Sequence, residues 1–321
     1  MTGELVVIAL GGNAIKQAHE SGTTEEQLRN VEITADQIAR IARKGYRIIV
    51  THGNGPQAGA LLIQQEEATE FVPAQTLAAC GAMTQGQIGW MMQNRISYHL
   101  QLQGLQRPAC TVVTQVVVAE DDPDFLNPSK PVGPFYTKET ALALRDNRGY
   151  VVKEVKPGVQ RSWRRVVPSP EPIEILEEVS INKLLDAGVI VIASGGGGIP
   201  VCADGDGSYR GVDAVIDKDR AAFKLAQAVR ADKFMILTDV ARVCLNYKQE
   251  NQKFIETADV NTMELHLREG HFLAGSMGPK VEAAIRFVKW SKGEAIITSL
   301  DRAIEALEGS AGTRIVLQME N

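Results

Sequence analysis

The sequence predicts an α/β protein, a three-layer αβα sandwich with a mostly parallel central sheet and a protruding inserted subdomain. Three observations predict it. Short β-branched runs alternate with longer helical patterns along most of the 321 residues. The first run, Leu5-Val6-Val7-Ile8-Ala9-Leu10, is continuously apolar, as a strand covered by helices on both faces must be. One stretch, residues 120–170, breaks the alternation with prolines, glycines and charge, which marks an insertion or lid.

The elements follow in order. After the strand at 5–10, Thr23-Thr24-Glu25-Glu26 carries a capping box, with the Thr23 hydroxyl and Glu26 carboxylate each able to satisfy a free amide. Leu28, Val31, Ala35, Ile38 and Ile41 then recur on one helical face until Gly45 stops the helix. Arg47-Ile48-Ile49-Val50 is the next strand, which completes a right-handed βαβ crossover. Residues 77–103 read as a long helix, 111–118 as a strand, 173–187 as a helix and 189–193 as a strand. Residues 218–229, 234–237, 279–290 and 295–298 continue the alternation as helix, strand, helix and strand. The insertion should contain a β-hairpin near 150–167. The polar, turn-rich Ala203 to Ser208 reads as a linker, dividing an N-terminal lobe (1–203, with the 120–170 lid) from a C-terminal lobe (204–321).

Composition excludes several classes. A hydrophobic fraction of 44% rules out wholesale disorder, and the 29 glycines show no triplet period, so collagen is excluded. A net charge of −5 argues against a dedicated nucleic-acid binder. No apolar run approaches the length of a membrane span, and the apolar N-terminal stretch ends at Gly11-Gly12 without the form of a signal peptide. Cys80, Cys110, Cys202 and Cys244 are far apart and form no Cys-x-x-Cys pair. A cytoplasmic protein is expected.

The chemistry should lie beyond the carboxyl ends of the strands. Three strands there run into glycine clusters: Gly11-Gly12-Asn13, Gly53-Asn54-Gly55-Pro56-Gln57, and Ser194-Gly195-Gly196-Gly197-Gly198. One such cluster is as readily explained by a tight turn as by a ligand. Three at equivalent ends of one sheet suit an oxyanion, because bare backbone amides can close on its oxygens. Neither G-x-x-x-x-G-K-[ST] nor G-x-G-x-x-G is present, which excludes a P-loop enzyme and disfavours a dehydrogenase. Ser194 lacks the leading Gly-x of a nucleophile elbow.

Three lysines are singled out by position rather than type: Lys218 in Asp217-Lys218-Asp219 at a helix start, Lys280 after Gly275-Ser276-Met277-Gly278-Pro279, and Lys130 in the lid. Phosphoryl transfer needs in-line positioning and cations against the charge on the phosphoryl oxygens. Lysines from separate loops could clamp donor and acceptor, Asp219 could hold them, and Mg²⁺ could bridge the nucleotide phosphates. No protein metal ligands are expected. His52 reads as a strand-end packing residue, whereas His19, His99, His266 and His271 show no paired ligand spacing and are assigned no role.

Six motifs occur in order: Leu10-Gly11-Gly12-Asn13-Ala14, His52-Gly53-Asn54-Gly55-Pro56-Gln57, the stretch from Pro128 to Phe135, the stretch from Ser194 to Val201, Ala214-Val215-Ile216-Asp217-Lys218-Asp219, and Gly275-Ser276-Met277-Gly278-Pro279-Lys280. Together they closely resemble the carbamate kinases of the amino acid kinase family, over almost the whole chain. The resemblance implies reversible phosphoryl transfer between ATP and carbamate, giving ADP and carbamoyl phosphate, with Mg²⁺ accompanying ATP/ADP. It implies ATP synthesis in arginine or ureide catabolism, and a homodimer. By motif, Gly11, Gly12, Asn13, Gly53, Asn54 and Gly55 would surround carbamate and the transferred group, with Ser194, Gly195 and Gly196 beside them. Lys130, Lys218 and Lys280 would be catalytic, with Asp219 orienting the lysines. Gly197, Gly198, Asp239, Tyr247 and Met277 would border the nucleotide, together with Lys218 and Lys280. The competing readings are another kinase of the same family and a catalytically silent nucleotide- or carbamoyl-phosphate-binding relative.

Overall fold

A computed structural model gives the fold; residues 3–17, 19–273 and 275–318 are described, and the Asn13 side chain falls outside that description. Strand β1 (Leu5–Leu10) is buried at every residue. It is followed by α1 (Thr24–Arg43), β2 (Arg47–His52), α2 (Gly55–Glu67), α3 (Leu77–Leu102), β3 (Ala109–Thr111) and β4 (Gln115–Val117). The insertion holds β5 (Lys130–Tyr136), α4 (Lys138–Arg148), β6 (Val152–Glu154) and β7 (Trp163–Val167). The chain continues with β8 (Glu174–Ile175), α5 (Glu178–Asp186), β9 (Ile190–Ile192), β10 (Ile199–Ala203), β11 (Tyr209–Gly211) and α6 (Lys218–Ala228). Last come β12 (Lys233–Thr238), β13 (Cys244–Leu245), β14 (Lys253–Phe254), β15 (Thr257–Asp259), α7 (Val260–Arg268), α8 (Met277–Ser291), β16 (Glu294–Ser299), α9 (Ala303–Leu307) and β17 (Thr313–Val316).

The central sheet runs β15-β17-β16-β12-β1-β2-β9-β3. Among the described strands of this sheet, β17 and its parallel neighbour β15 run against the other six. The period-two geometry of β1 explains the two cores. Leu5, Val7 and Ala9 face one helical layer with α5, α6, α7 and α8, while Val6, Ile8 and Leu10 face the other with α1, α3 and α9. This is the three-layer αβα sandwich. The capping box forms: the Glu26 amide donates to Thr23 Oγ1 at 3.3 Å and the Thr23 amide to Glu26 Oε2 at 2.9 Å.

Some boundaries differ from expectation. The run 111–118 is two strands in two sheets, because buried Gln85 takes over the backbone of Thr114 between them. Its side chain accepts from the Thr114 amide at 2.8 Å and donates to the Thr114 carbonyl at 3.1 Å, which ends the ladder. The helix expected from 173 starts at Glu178, since Glu174 and Ile175 pair with β4 and the Glu177 carboxylate accepts the Gln115 amide at 2.8 Å. The stretch 203–208 is the turn of the β10–β11 hairpin, closed by the Asp204 amide on the Ser208 carbonyl at 2.8 Å. The expected hairpin in the insertion is β6–β7, joined by β5 into a three-stranded sheet with α4 beside it. Among the described residues no helix is long and apolar enough to cross a membrane.

Candidate active site

Strands β1, β2 and β9 end together, so the three glycine loops meet. The Gly11 amide donates to the Leu237 carbonyl at 2.9 Å and the Gly53 amide to the Leu10 carbonyl at 3.2 Å. A Cβ on Gly53 would lie 3.3 Å from Lys218 Cδ and 3.4 Å from Gly12 Cα, so two loops and a lysine stem pack against one backbone. Gly196 shows the same economy of space. Its φ of +69° suits glycine, and a Cβ there would sit 2.2 Å from Asn54 Nδ2. Asn54 is held by donating to Thr84 Oγ1 at 2.9 Å.

These loops floor a cavity of about 570 Å³. Gly12, Gly53, Asn54, Gly55, Gly196 and Gly198 line one side; Asp217, Lys218, Asp219, Ser276 and Lys280 line another. The inserted sheet closes over it with Lys130, Gly133, Phe135 and Arg164. Arg164 donates to the Gly133 carbonyl at 2.7 Å and stacks over the Phe135 ring at 5.1 Å, which fixes a planar cation in the cavity lining.

The cations come with counter-charges. Asp217 caps α6 by accepting from the Asp219 amide at 2.9 Å, and its other oxygen takes Lys130 Nζ at 2.8 Å. Burial opposes its ionisation, but the charge and hydrogen bond of Lys130 win and hold the carboxyl down at about 2. Asp219, 3% exposed, accepts Lys218 Nζ at 2.6 Å and Lys280 Nζ at 3.5 Å. Lys280 is 8% exposed and also donates to the Ser276 carbonyl at 3.2 Å. Burial, and then the neighbouring Lys218 charge, push its ammonium below the usual lysine range. Three lysines and Arg164 against two aspartates leave a formal excess of two positive charges around the cavity. Such a lining suits an anion.

His52 lies beneath the floor, wholly buried, with Nδ1 on the Gly53 carbonyl at 3.1 Å. Burial pulls its pKa down to about 4, so the ring is a neutral packing group. Because its folded pKa lies below the unfolded value of about 6.5, stability is full above that value and is lost as pH falls toward 4. About 3 kcal/mol should disappear across that window. Urea unfolding of wild type and His52→Gln at a series of pH values checks this: the variant should show a shallower loss between those limits.

A family model described as the amino acid kinase family matches residues 4–299. A carbamate kinase from Pyrococcus furiosus is 50% identical over 316 residues, covering 98% of this chain and 99% of the relative. The carbamate kinase of Thermococcus kodakarensis is 52% identical over 314 residues, covering 97% and 98%. The chain belongs to the amino acid kinase family, among the carbamate kinases. The solved structure of a carbamate kinase from Giardia lamblia bound to AMP-PNP superposes with a TM-score of 0.92 at 45% identity, covering 98% of this chain and 99% of that one.

Within this amino acid kinase frame, the residues expected from sequence separate into three groups. Gly12, Gly53, Asn54, Gly55, Gly196, Gly198, Lys130, Lys218, Asp219 and Lys280 line the large cavity. Asp239, Tyr247 and Met277 line a smaller cleft of about 90 Å³ together with Cys244 and His271; Ser276 borders both spaces, so the two adjoin. Gly11, Ser194, Gly195 and Gly197 lie behind the walls and line neither space. Ser194 is wholly buried with φ +55°; its amide donates to Thr114 Oγ1 and its carbonyl accepts from Thr51 Oγ1, both at 2.9 Å. Its left-handed backbone bends the chain into the glycine turn. Gly195 packs on the His52 ring and Gly197 on the Ile216 carbonyl, which leaves Gly196 and Gly198 facing inward.

Asp217 and Arg164 are lining residues that the sequence pattern does not announce as such. An acid before a helix reads as a cap, which Asp217 is, and only the fold adds Lys130 to it. Nothing in the sequence separates Arg164 from Arg161 and Arg165 beside it.

Proposed function

We propose that the chain, a phosphotransferase of the carbamate kinase type, transfers a phosphoryl group reversibly between ATP and carbamate, giving ADP and carbamoyl phosphate, and that Lys130, Lys218 and Lys280 do the work. One observation supports this above the rest: the three lysines, from a lid strand and two helix starts, line one cavity floored by glycine loops. The backbone around Gly12, Gly53 and Gly55, with the Asn54 amide, would receive the acceptor. Carbamate already carries negative charge on its attacking oxygen, so the absence of a His–carboxylate base among the described lining residues suits it. Lys218 and Lys280 would balance the charge on the in-line phosphoryl group, and Lys130 would add its charge from the lid. Asp219 would keep two ammonium groups from repelling each other out of position. Asp239, Tyr247 and Met277 would border the nucleotide.

Mg²⁺ would supply charge neutralisation at the nucleotide phosphates. The only carboxylates lining the cavity among the described residues are Asp217 and Asp219, both already paired with lysine, so the ion would arrive on the nucleotide rather than in a protein cage. The N-terminal half would then carry the acceptor and the C-terminal half the nucleotide. The setting we propose is cytoplasmic ATP synthesis from carbamoyl phosphate, in arginine or ureide catabolism. The test is ATP formation from ADP and carbamoyl phosphate in a luciferase-coupled assay. Turnover is expected; nucleotide binding without ATP formation would favour the silent relative, and turnover only with amino-acid acceptors would favour another member of the family.

We also propose a homodimer. Met83, Trp90, Tyr98 and Leu102 on α3 are large apolar side chains at 44%, 54%, 47% and 62% exposure, spaced seven, eight and four residues apart along one face. Sedimentation should give twice the mass of the chain, and Trp90→Glu should shift it to the monomer.

A further inference from the structure

Helix α7 ends in a Schellman motif. Gly270 takes φ +77°, the His271 amide donates to the His266 carbonyl at 3.2 Å, and the Gly270 amide to the Leu267 carbonyl at 3.2 Å. In that motif the side chains three residues inside and two residues beyond the cap touch, usually through an apolar contact. Here both are histidines and the cap residue is Glu269. The two rings stand edge to face with centroids 5.4 Å apart. His266 Nδ1 and His271 Nε2 lie 3.3 and 3.4 Å from the same Glu269 oxygen, and the three donor atoms fall within 4.8 Å of one another.

As hydrogen bonds these distances are long, beyond the usual 2.7–3.2 Å. As edges of a coordination tetrahedron they fit: bonds of about 2.0–2.1 Å to nitrogen and oxygen place neighbouring ligand atoms about 3.3 Å apart. We propose that His266, Glu269 and His271 form a site for a late first-row divalent ion, zinc above all, with a fourth position left to water. Two imidazoles and a carboxylate favour such an ion over Mg²⁺, whose preference is for oxygen ligands. The side chains are 21%, 47% and 26% exposed, so an ion can enter without opening the core. The site's position gives it a consequence. His271 lines the smaller cleft and begins the segment that leads to Ser276, whose carbonyl holds Lys280. An ion here would fasten the start of that segment to α7.

The test uses the metal-free full-length protein without nucleotide, titrated with Co²⁺ by visible absorption and with Zn²⁺ by calorimetry. About one equivalent should bind, with a four- or five-coordinate Co²⁺ spectrum and no thiolate charge-transfer band. Zn²⁺ should raise the Tm of the wild type. His266→Ala and Glu269→Gln should each weaken binding about tenfold or more, since even indirect ligand supports are worth that much, and should lose the Tm rise. Should His266→Ala fold poorly, the half-exposed Glu269→Gln keeps the shape of the motif and decides alone. Absence of saturable binding, equal binding in a folded variant, or a thiolate band that places the ion on cysteine would each overturn the assignment.

Discussion

Lys280→Ala is expected to lower kcat about a thousandfold while leaving the Tm close to that of the wild type. The loss follows from the role proposed for the ammonium: one preorganised donor aimed at developing charge is worth about 10²–10³ in rate. Stability should be spared for a specific reason. Lys280 is 8% exposed and its charged form is disfavoured there, so removing it releases a desolvation cost. Its partner Asp219 is not orphaned, because Lys218 Nζ stays 2.6 Å from the other carboxylate oxygen. Steady-state ATP formation from ADP and carbamoyl phosphate, alongside thermal unfolding, checks both halves. A kcat within about tenfold of the wild type in a folded Lys280→Ala would remove this lysine from the chemistry.

Asp219→Asn should be the more damaging change for the molecule as a whole. Asp219 is 3% exposed and is the counter-charge to both Lys218 and Lys280. Deleting its charge leaves two ammonium groups facing each other in a poorly solvated corner. Breaking a buried pair by removing one partner costs about 3–5 kcal/mol, and a value in that range is expected by urea unfolding at neutral pH. The pH profile carries a second signature. Burial and Lys218 already push the Lys280 ammonium down and, with a smaller contribution from Asp217, Asp219 is the main group that resists them. Without it the amine deprotonates at lower pH, so the alkaline limb of the kcat profile should move toward neutrality. Lys280→Ala predicts no such limb from that residue. An Asp219→Asn variant with wild-type stability and an unmoved alkaline limb would deny the carboxylate its positioning role.

The main elements are legible from pattern because they are long or strongly periodic. The unbroken apolar run of β1, the capping box at Thr23 and Glu26, and the 26-residue α3 all declare themselves. Elements set by tertiary partners do not. Gln85 divides 111–118 by reaching across from α3, and no local signal marks a glutamine for that task. Helix α4 is masked in the pattern by its proline-rich surroundings, although Thr137 caps it and Gly149 closes it with φ +68°. In the site, the glycine runs show which loops converge, since each follows the carboxyl end of a central strand, and the lysines of α6 and α8 are marked by their place at helix starts. Which glycine of Ser194–Gly198 faces inward depends on the bend at Ser194, and the salt bridge joining Lys130 to Asp217 spans 87 positions. The pairing of His266 with His271 is local, yet it depends on the left-handed turn at Gly270 rather than on ligand spacing.

Strand β1 has its two edges taken by different halves of the chain, β2 on one side and β12 on the other. The molecule therefore has no seam near residue 204 along which it could be cut. A fragment ending there would present five β1 positions that lack their β12 partners, a bare apolar border of the kind that recruits other chains into aggregates. The glycine loops after β1 and β2 and the helix starts bearing Lys218 and Lys280 are thus inherited together or not at all.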